Sequence, residues 1–105
     1  MRYYEMGVAI AGYNPDNRDA IKAAADEEWD FDDWDDYPEE ISARGRGGLY
    51  GGESEEAFAE RLTHAIWRAN GAYCSVEVTC TYLDDLPCET YEYGEADYVM
   101  FVNGD

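Results

Sequence analysis

Residues 26–40 constrain this chain most, because they form an acidic run that contains no basic residue. Ten of its fifteen residues are Asp or Glu, and Trp29, Phe31, Trp34 and Tyr37 are interspersed among them. Unscreened like charges oppose compaction, so the run has a cost in stability. The aromatic side chains can either anchor the run on the body of the protein or fill pockets in a partner. Both interpretations predict an ordered segment.

The rest of the chain is also acidic. It has 25 Asp and Glu residues against 7 Lys and Arg residues, a formal net charge of -18 and an isoelectric point near 4.1. A net charge of about 2 to 8 in magnitude normally keeps a small domain in solution. The excess indicates a functional role, and the natural counterpart of such a surface is a cationic one.

Length and composition predict one folded domain over residues 1–105. The 46% hydrophobic and 15% aromatic content supplies a core that disordered acidic tails lack. Residues 1–25 have no basic start followed by an apolar stretch, and no apolar run is long enough to span a membrane. We therefore expect a cytoplasmic protein.

Alternation and helix caps predict the elements of the first half. Residues 2–12 alternate in the manner of a half-buried strand, and apolar positions at helical spacing predict a helix over 16–29. A short strand is expected over 40–46. Five glycines in residues 45–52 predict a mobile loop.

In the second half, Ser54 and Gly71 are good capping residues for a helix over 55–70, which carries one apolar stripe. The segments that follow are predicted as strands over 73–83, 88–93 and 98–102, with turns at 84–87 and 94–97. The expected order is β-α-β-α-β-β-β. Two helices on one face of a mostly antiparallel sheet would bury the stripes, which is an α+β two-layer sandwich.

The three cysteines do not indicate a disulfide framework or a zinc site. On a strand, Cys74 and Cys80 share a face but lie roughly 20 Å apart at about 3.3 Å per residue. No Cys-x-x-Cys occurs, and His64 is distant from all three cysteines in sequence. We expect free thiols that behave as small hydrophobic groups, including Cys88.

Catalytic and cofactor motifs are absent from the sequence. Neither Gly-x-Ser-x-Gly nor His-Glu-x-x-His occurs, and closely spaced carboxylates do not by themselves separate the pKa values of an acid and a base. An EF-hand loop that begins at Asp30 would place Trp34 at position 5 and Ile41 at position 12. The glycine-rich segment ends in acids that would repel phosphate. We therefore predict no enzymatic activity, no cofactor and no metal.

The carboxylates themselves are the candidate functional groups. Alternate strand residues repeat at roughly 6.6 Å and helical turns at about 5.4 Å, which is comparable to the separation of neighbouring phosphates in DNA. The predicted partner-binding residues are Asp30, Asp32, Asp33, Trp34, Asp35, Asp36, Glu39 and Glu40. A second acidic patch is predicted from Asp84, Asp85, Glu89, Glu92, Glu95 and Asp97.

In bulk character, and above all in the stretch DEEWDFDDWDDYPEE, the chain resembles the small acidic DNA-mimic inhibitors of phages and mobile elements, such as anti-CRISPR and antirestriction proteins. The resemblance implies a monomer or small homo-oligomer that binds the cationic DNA or PAM groove of a bacterial defence complex, with a CRISPR surveillance complex as the best candidate. It implies no direct binding of nucleic acid. The alternative is an immunity or adaptor protein that binds a basic protein partner such as a toxin.

Overall fold

A computed structural model describes residues 2–49, 52–84 and 88–104 and confirms the predicted α+β class. The elements are β1 (Arg2–Ala11), a 3-10 turn (Pro15–Asn17), α1 (Arg18–Glu28), β2 (Asp33–Asp36), β3 (Glu40–Leu49), α2 (Glu55–Asn70), β4 (Ser75–Tyr82), β5 (Cys88–Tyr93) and α3 (Glu95–Asn103). The described strands form one antiparallel sheet in the order β2-β3-β1-β4-β5.

The central strand β1 sets the register of the sheet. Ile10 lies opposite Ile41 of β3 and Val76 of β4, and Val8 lies opposite Ala43 and Val78 in the same way. Because side chains alternate along a strand, these residues all point to one face of the sheet. That face is the one that the core occupies.

Helices α1 and α2 cover this face, which we call the covered face. Their apolar stripes contribute the fully buried side chains of Ile21, Phe58, Leu62 and Ile66. Each large aliphatic or aromatic side chain buried in this way contributes about 1.5–3 kcal/mol. The opposite face of the sheet carries charged and small residues and is called the uncovered face below.

The caps of α2 form as the sequence predicts. The Ser54 hydroxyl oxygen accepts a hydrogen bond from the Ala57 N–H at 3.1 Å. Gly71 has a φ of +75°, and its N–H donates to the Trp67 carbonyl at 2.9 Å. A left-handed residue at this position favours glycine, so the helix ends where the sequence indicates.

The prediction of a mobile loop over 45–52 is wrong for residues 45–49, which continue β3. These glycines allow the acidic run to cross the strand closely. A Cβ atom on Gly45 would overlap the carbonyl oxygen of Asp30, and one on Gly47 would lie 3.0 Å from the Trp29 ring. Glycine is therefore required here for close approach rather than for freedom of the backbone. Residues 50 and 51 lie outside the described residues.

The prediction of a strand over 98–102 is also wrong, because these residues belong to α3. Its first turn is capped by the Asp97 carboxylate, which accepts a hydrogen bond from the Gly94 N–H at 2.9 Å. Tyr98 and Phe101, three residues apart, both contact the Trp67 ring, at centroid distances of 5.2 and 5.6 Å. Contacts at that spacing require helical periodicity. The order of the described elements is therefore β-α-β-β-α-β-β-α.

None of the described helices is long and apolar enough to cross a membrane. The predicted turn at 84–87 falls largely outside the described residues, since only Asp84 of that turn is described. The predicted turn at 94–97 is the beginning of α3.

Candidate partner-binding surface

Two aromatic residues anchor the acidic run on the covered face. Trp29 and Phe31 are buried, with 8% and 7% of their surface exposed. The Trp29 indole N–H donates to the Gly45 carbonyl at 2.9 Å, and its ring contacts Phe58 edge to face. These two side chains therefore serve the core, and of the four aromatic residues of the acidic run Trp34 and Tyr37 remain available to a partner.

Trp34 is half-buried and lies on the covered side of β2. Its indole N–H donates to the Asp26 carboxylate at 3.2 Å, and its ring lies 5.7 Å from that of Phe31. Lys22 lies over the same ring at 6.0 Å. Trp34 thus fixes the edge strand to α1 and exposes only part of its ring.

The structure brings the predicted carboxylates of the acidic run together along β2, the edge strand of the sheet, the short segment before it and the hairpin that follows it. All seven are exposed: Asp30, Asp32, Asp33, Asp35, Asp36, Glu39 and Glu40. The Asp32 N–H donates to the Arg44 carbonyl and the Tyr37 N–H to the Glu40 carbonyl, at 2.9 and 2.8 Å. Main-chain hydrogen bonds therefore hold these side chains on an ordered frame, which we call the acidic edge.

The acidic edge presents its carboxylates to both sides of the sheet. Asp33 and Asp35 lie on the uncovered face, opposite Arg44 and Ser42. Asp36 points to the other side, where it forms an ion pair with Lys22 at 2.7 Å. Exposed pairs of this kind contribute at most about 1 kcal/mol.

The residues of the second predicted patch are spread over three elements. Asp84 follows β4 and accepts a hydrogen bond from the Tyr82 hydroxyl, whereas Asp97 and Glu95 lie in the first turn of α3. Carboxylates in a first turn stabilise a helix through its dipole. Glu89 and Glu92 project from opposite sides of β5, and Asp85 lies outside the described residues.

Sequence reasoning missed two carboxylates that lie near this patch. Glu56 and Glu60, one turn apart on α2, line a depression with Tyr93 and Asp97. Burial, together with the negative charges of Glu60 and Glu56, raises the pKa of Tyr93 to about 12. The i, i+4 spacing of the two glutamates was the available signal, but it does not show which strand they face.

The uncovered face carries a shallow groove of about 430 Å³ that the sequence did not indicate. We call it the open groove. Its floor is formed by the small residues Gly7, Ala9 and Ser42 in the centre of the sheet. Asp33 and Asp35 lie along one side, on the acidic edge, and Glu77 of β4 lies on the other side.

Register places Glu77 directly opposite Glu92 on the uncovered face. Like charges at directly opposed positions of an antiparallel pair destabilise a sheet. Neither residue has an ion pair among the described residues. The chain therefore keeps an unfavourable pair at this position.

Most basic side chains are already engaged elsewhere. Arg61 bridges Glu28 at 2.6 Å and Glu53 at 2.9 Å, and the hydrogen bond to Glu53 is the main cause that raises the pKa of Arg61. Arg46 pairs with Glu5 at 3.3 Å. At the acidic edge, Lys22 pairs with Asp36, and Arg44 lies opposite Asp33 with no ion pair among the described residues.

The described residues show no cluster of side chains that could bind a metal ion. They contain no group of three or more His, Cys, Asp or Glu that could hold a metal ion. Cys74 and Cys80 are buried free thiols whose pKa burial raises to about 11 and about 12, while Cys88 is an exposed free thiol. His64 stacks on Phe101 at 4.3 Å.

The surface that emerges is electrostatic in character: an acidic edge on an ordered strand, next to a groove with acidic sides. Its ordering depends on Trp29, Phe31 and Trp34. No protein-family model, no curated protein and no solved structure matched this chain.

Proposed function

We propose that this protein is an acidic DNA mimic that inhibits a bacterial defence complex by occupying its cationic nucleic-acid groove, in the host cytoplasm. The observation that carries the proposal is the acidic edge, where seven exposed carboxylates lie on one strand and the segments on either side of it. Within the part of the chain that the structure describes, Asp36 is the one of the seven that forms an ion pair, with Lys22. A groove lined with Lys and Arg is the surface that such a row complements.

The spacing of the carboxylates supports mimicry. Asp33 and Asp35 are alternate residues of β2 and project to one side of the sheet, roughly 6.6 Å apart. This repeat is of the same order as the distance between successive phosphates of one DNA strand. Glu40 continues the charged line on the neighbouring strand β3.

Preorganisation also supports the proposal. A flexible acidic tail would lose conformational freedom on binding, and ordering of side chains and loops lowers affinity. Here the indole of Trp29 and the main chain of Asp32 are hydrogen-bonded to β3 at 2.9 Å each. The carboxylates are therefore held in place before the partner arrives.

The best candidate for the target is a DNA-targeting CRISPR surveillance complex, in which a short duplex motif is read by basic side chains in a groove. Opposite charge speeds association with such a site and makes affinity fall steeply with salt. We expect the protein to compete with duplex DNA and to bind no nucleic acid itself, because its charge is that of the ligand it replaces.

The test uses purified DNA-targeting surveillance complexes, each loaded with guide RNA and offered a labelled target duplex. The wild-type chain should reduce duplex binding by at least one of them at equimolar concentration. The variant with Asp32, Asp33, Asp35 and Asp36 all changed to Asn should lose about 100-fold in affinity, since each exposed charge contact contributes up to about 1 kcal/mol. Its fold should be intact.

The matched control removes four carboxylates elsewhere, by changing Glu56, Glu60, Glu89 and Glu95 to Gln. Both variants have the same net charge, so a nonspecific effect of charge would weaken both equally. The proposal predicts that the control inhibits within about threefold of wild type. If the Asp-to-Asn variant inhibits as strongly as the wild-type chain, the acidic edge is not the binding surface.

The alternative function, an immunity or adaptor protein for a basic protein partner, is favoured by one observation. Helix α3 exposes Val99, Met100 and Val102, with 53%, 73% and 52% of their surface accessible. Apolar side chains of this kind suit a protein surface rather than a phosphate-binding groove. Competition separates the two functions, because duplex DNA displaces a mimic, whereas an immunity protein that binds outside the DNA site stays bound.

A further inference from the structure

The open groove has a width that can be read from the sheet. Its acidic sides lie on β2 and β4, which are separated by β3 and β1. Three strand spacings of about 4.8 Å place the two sides about 14 Å apart. An α-helix with its side chains is about 10–12 Å in diameter, and the major groove of DNA, which admits such a helix, is about 12 Å wide.

The floor of the open groove permits close approach. Gly7 and Ala9 of β1 and Ser42 of β3 occupy the centre of the uncovered face, where longer side chains would fill the depression. Arg44 is a longer side chain that crosses this floor. Its Cγ atom lies 3.5 Å from the position that a Cβ atom on Gly7 would take.

The charge of the uncovered face is strongly negative. Six carboxylates project from it, against two guanidinium groups, which leaves a net charge of -4 among the described residues. The carboxylates are Glu5, Asp33, Asp35, Glu40, Glu77 and Glu92, and the guanidinium groups are Arg44 and Arg46. Arg46 pairs with Glu5, so Arg44 is the basic group that a cationic ligand would meet in the groove.

We propose that the open groove receives a Lys- and Arg-rich α-helix of the partner, laid between the acidic edge and Glu77. The inference rests on the proposed function and names the element of the partner that is bound. A basic helix is what a DNA-reading protein inserts between two rows of phosphates. Here Asp33 and Asp35 on one side and Glu77 on the other flank a floor of matching width. Basic side chains of the helix also relieve the repulsion between Glu77 and Glu92, which face each other on adjacent strands.

The probe is a synthetic peptide of about 18 residues, covalently constrained as a helix about 27 Å long, with Lys and Arg on one face. Its counterpart has the same sequence with every second residue as the D-enantiomer, which keeps charge and composition but excludes a right-handed helix. Fluorescence anisotropy measures the affinity of each for the full chain. The helical peptide should bind about tenfold tighter, and equal affinities would overturn the proposal because charge alone would then explain binding.

Variants of the full chain locate the contact. Glu77→Gln with Glu92→Gln should weaken binding of the helical peptide about tenfold, while Glu56→Gln with Glu60→Gln, which changes the net charge equally, should leave it within about twofold. Arg44→Gln should strengthen binding about threefold, because it removes the opposing cation. Equal weakening by the two double variants, or weaker binding by Arg44→Gln, would contradict groove docking.

The outcomes separate this inference from the proposed function. If the constrained peptide has no advantage but the chain still inhibits a surveillance complex through its acidic edge, the mimic stands and docking of a helix in the groove is wrong. If the groove selects the helical peptide but no DNA-handling complex is inhibited, the docking surface stands and DNA mimicry is wrong.

Discussion

The two faces of the sheet come from the same strands and differ in almost every physical property. On the covered face, β1 places Tyr4, Met6, Val8 and Ile10, all at most 3% exposed, against the helices. On the uncovered face, the same strand contributes Glu5, Gly7 and Ala9 to an acidic groove. Because successive side chains of a strand point to opposite faces, one strand supplies both the groups that stabilise the fold and those that we propose contact a partner.

The difference shows how a chain with a net charge of -18 folds at all. The covered face leaves no buried side-chain polar atom without a hydrogen bond among the described residues, so its burial is close to fully favourable. The uncovered face keeps like charges opposed at Glu77 and Glu92. Removal of core groups should therefore destabilise the fold, whereas removal of Glu77 or Glu92 should not.

The largest effect is expected from Ile10→Ala. Ile10 is fully buried between Ile41 and Val76, and truncation of such a residue costs about 2–5 kcal/mol. Its neighbour Ala9 points to the uncovered face, and Ala9→Ser should change the free energy of unfolding by less than about 0.5 kcal/mol. Urea denaturation of both variants measures the contrast. Similar losses would show that the two faces do not differ as described.

Two glycines, one on each face of the sheet, should differ in the same direction with smaller effects on stability. Gly45→Ala on the covered side of β3 would clash with the carbonyl oxygen of Asp30 and should cost about 1–3 kcal/mol. Gly7→Ala on the uncovered face meets only ordinary contacts, the nearest at 3.5 Å, and should be neutral or stabilising by about 0.5 kcal/mol. Thermal unfolding of the pair tests this, and a stable Gly45→Ala variant would contradict the close crossing of the acidic run.

Alkaline pH should lower the free energy of unfolding through buried groups on the covered face. Burial raises the pKa of Cys74 from 9.0 to about 11 and that of Cys80 to about 12, and Tyr93 rises from 10.0 to about 12. Between pH 9 and about 12 the folded state therefore binds more protons than the unfolded state, so the free energy of unfolding should fall as pH rises through this window. Denaturation midpoints from pH 8 upward measure it.

The double variant Cys74→Val with Cys80→Val is the control for that experiment. It removes both buried thiols but keeps Tyr93, so the alkaline loss should become smaller. An unchanged pH dependence would show that these thiols do not titrate with unfolding.

The smallest expected effect is a gain in the stability of the fold. Glu92→Lys converts the like-charge pair with Glu77 into an opposite-charge pair and should stabilise the fold by about 0.2–1 kcal/mol. Because the interaction is exposed, the gain should shrink as salt is added. Glu92→Gln, which only removes the repulsion, should give a smaller gain. Destabilisation by Glu92→Lys would mean that the carboxylate supports the sheet rather than a partner.

Much of the secondary structure can be predicted from local sequence patterns. The alternation over residues 2–12 predicts β1, and Ser54 and Gly71 predict the ends of α2, because strand periodicity and helix capping depend on neighbours in sequence. The same approach gave the wrong element for residues 98–102, because a short apolar run suits either a strand or a helix. Contacts of this segment with Trp67 favour the helix α3. The glycines of β3 were wrongly predicted to form a loop, because the acidic run that crosses them is distant in sequence.

Sequence alone predicts the α+β class, the strong negative charge and the group of carboxylates in the acidic run, because all three depend on composition and short-range periodicity. The fold was needed to show that Asp33 and Asp35 share a groove with Glu77, more than 40 residues away in the chain. Strand order and register bring such residues together, and they result from which strands bury the most apolar surface side by side. A pattern read along the chain does not contain that information.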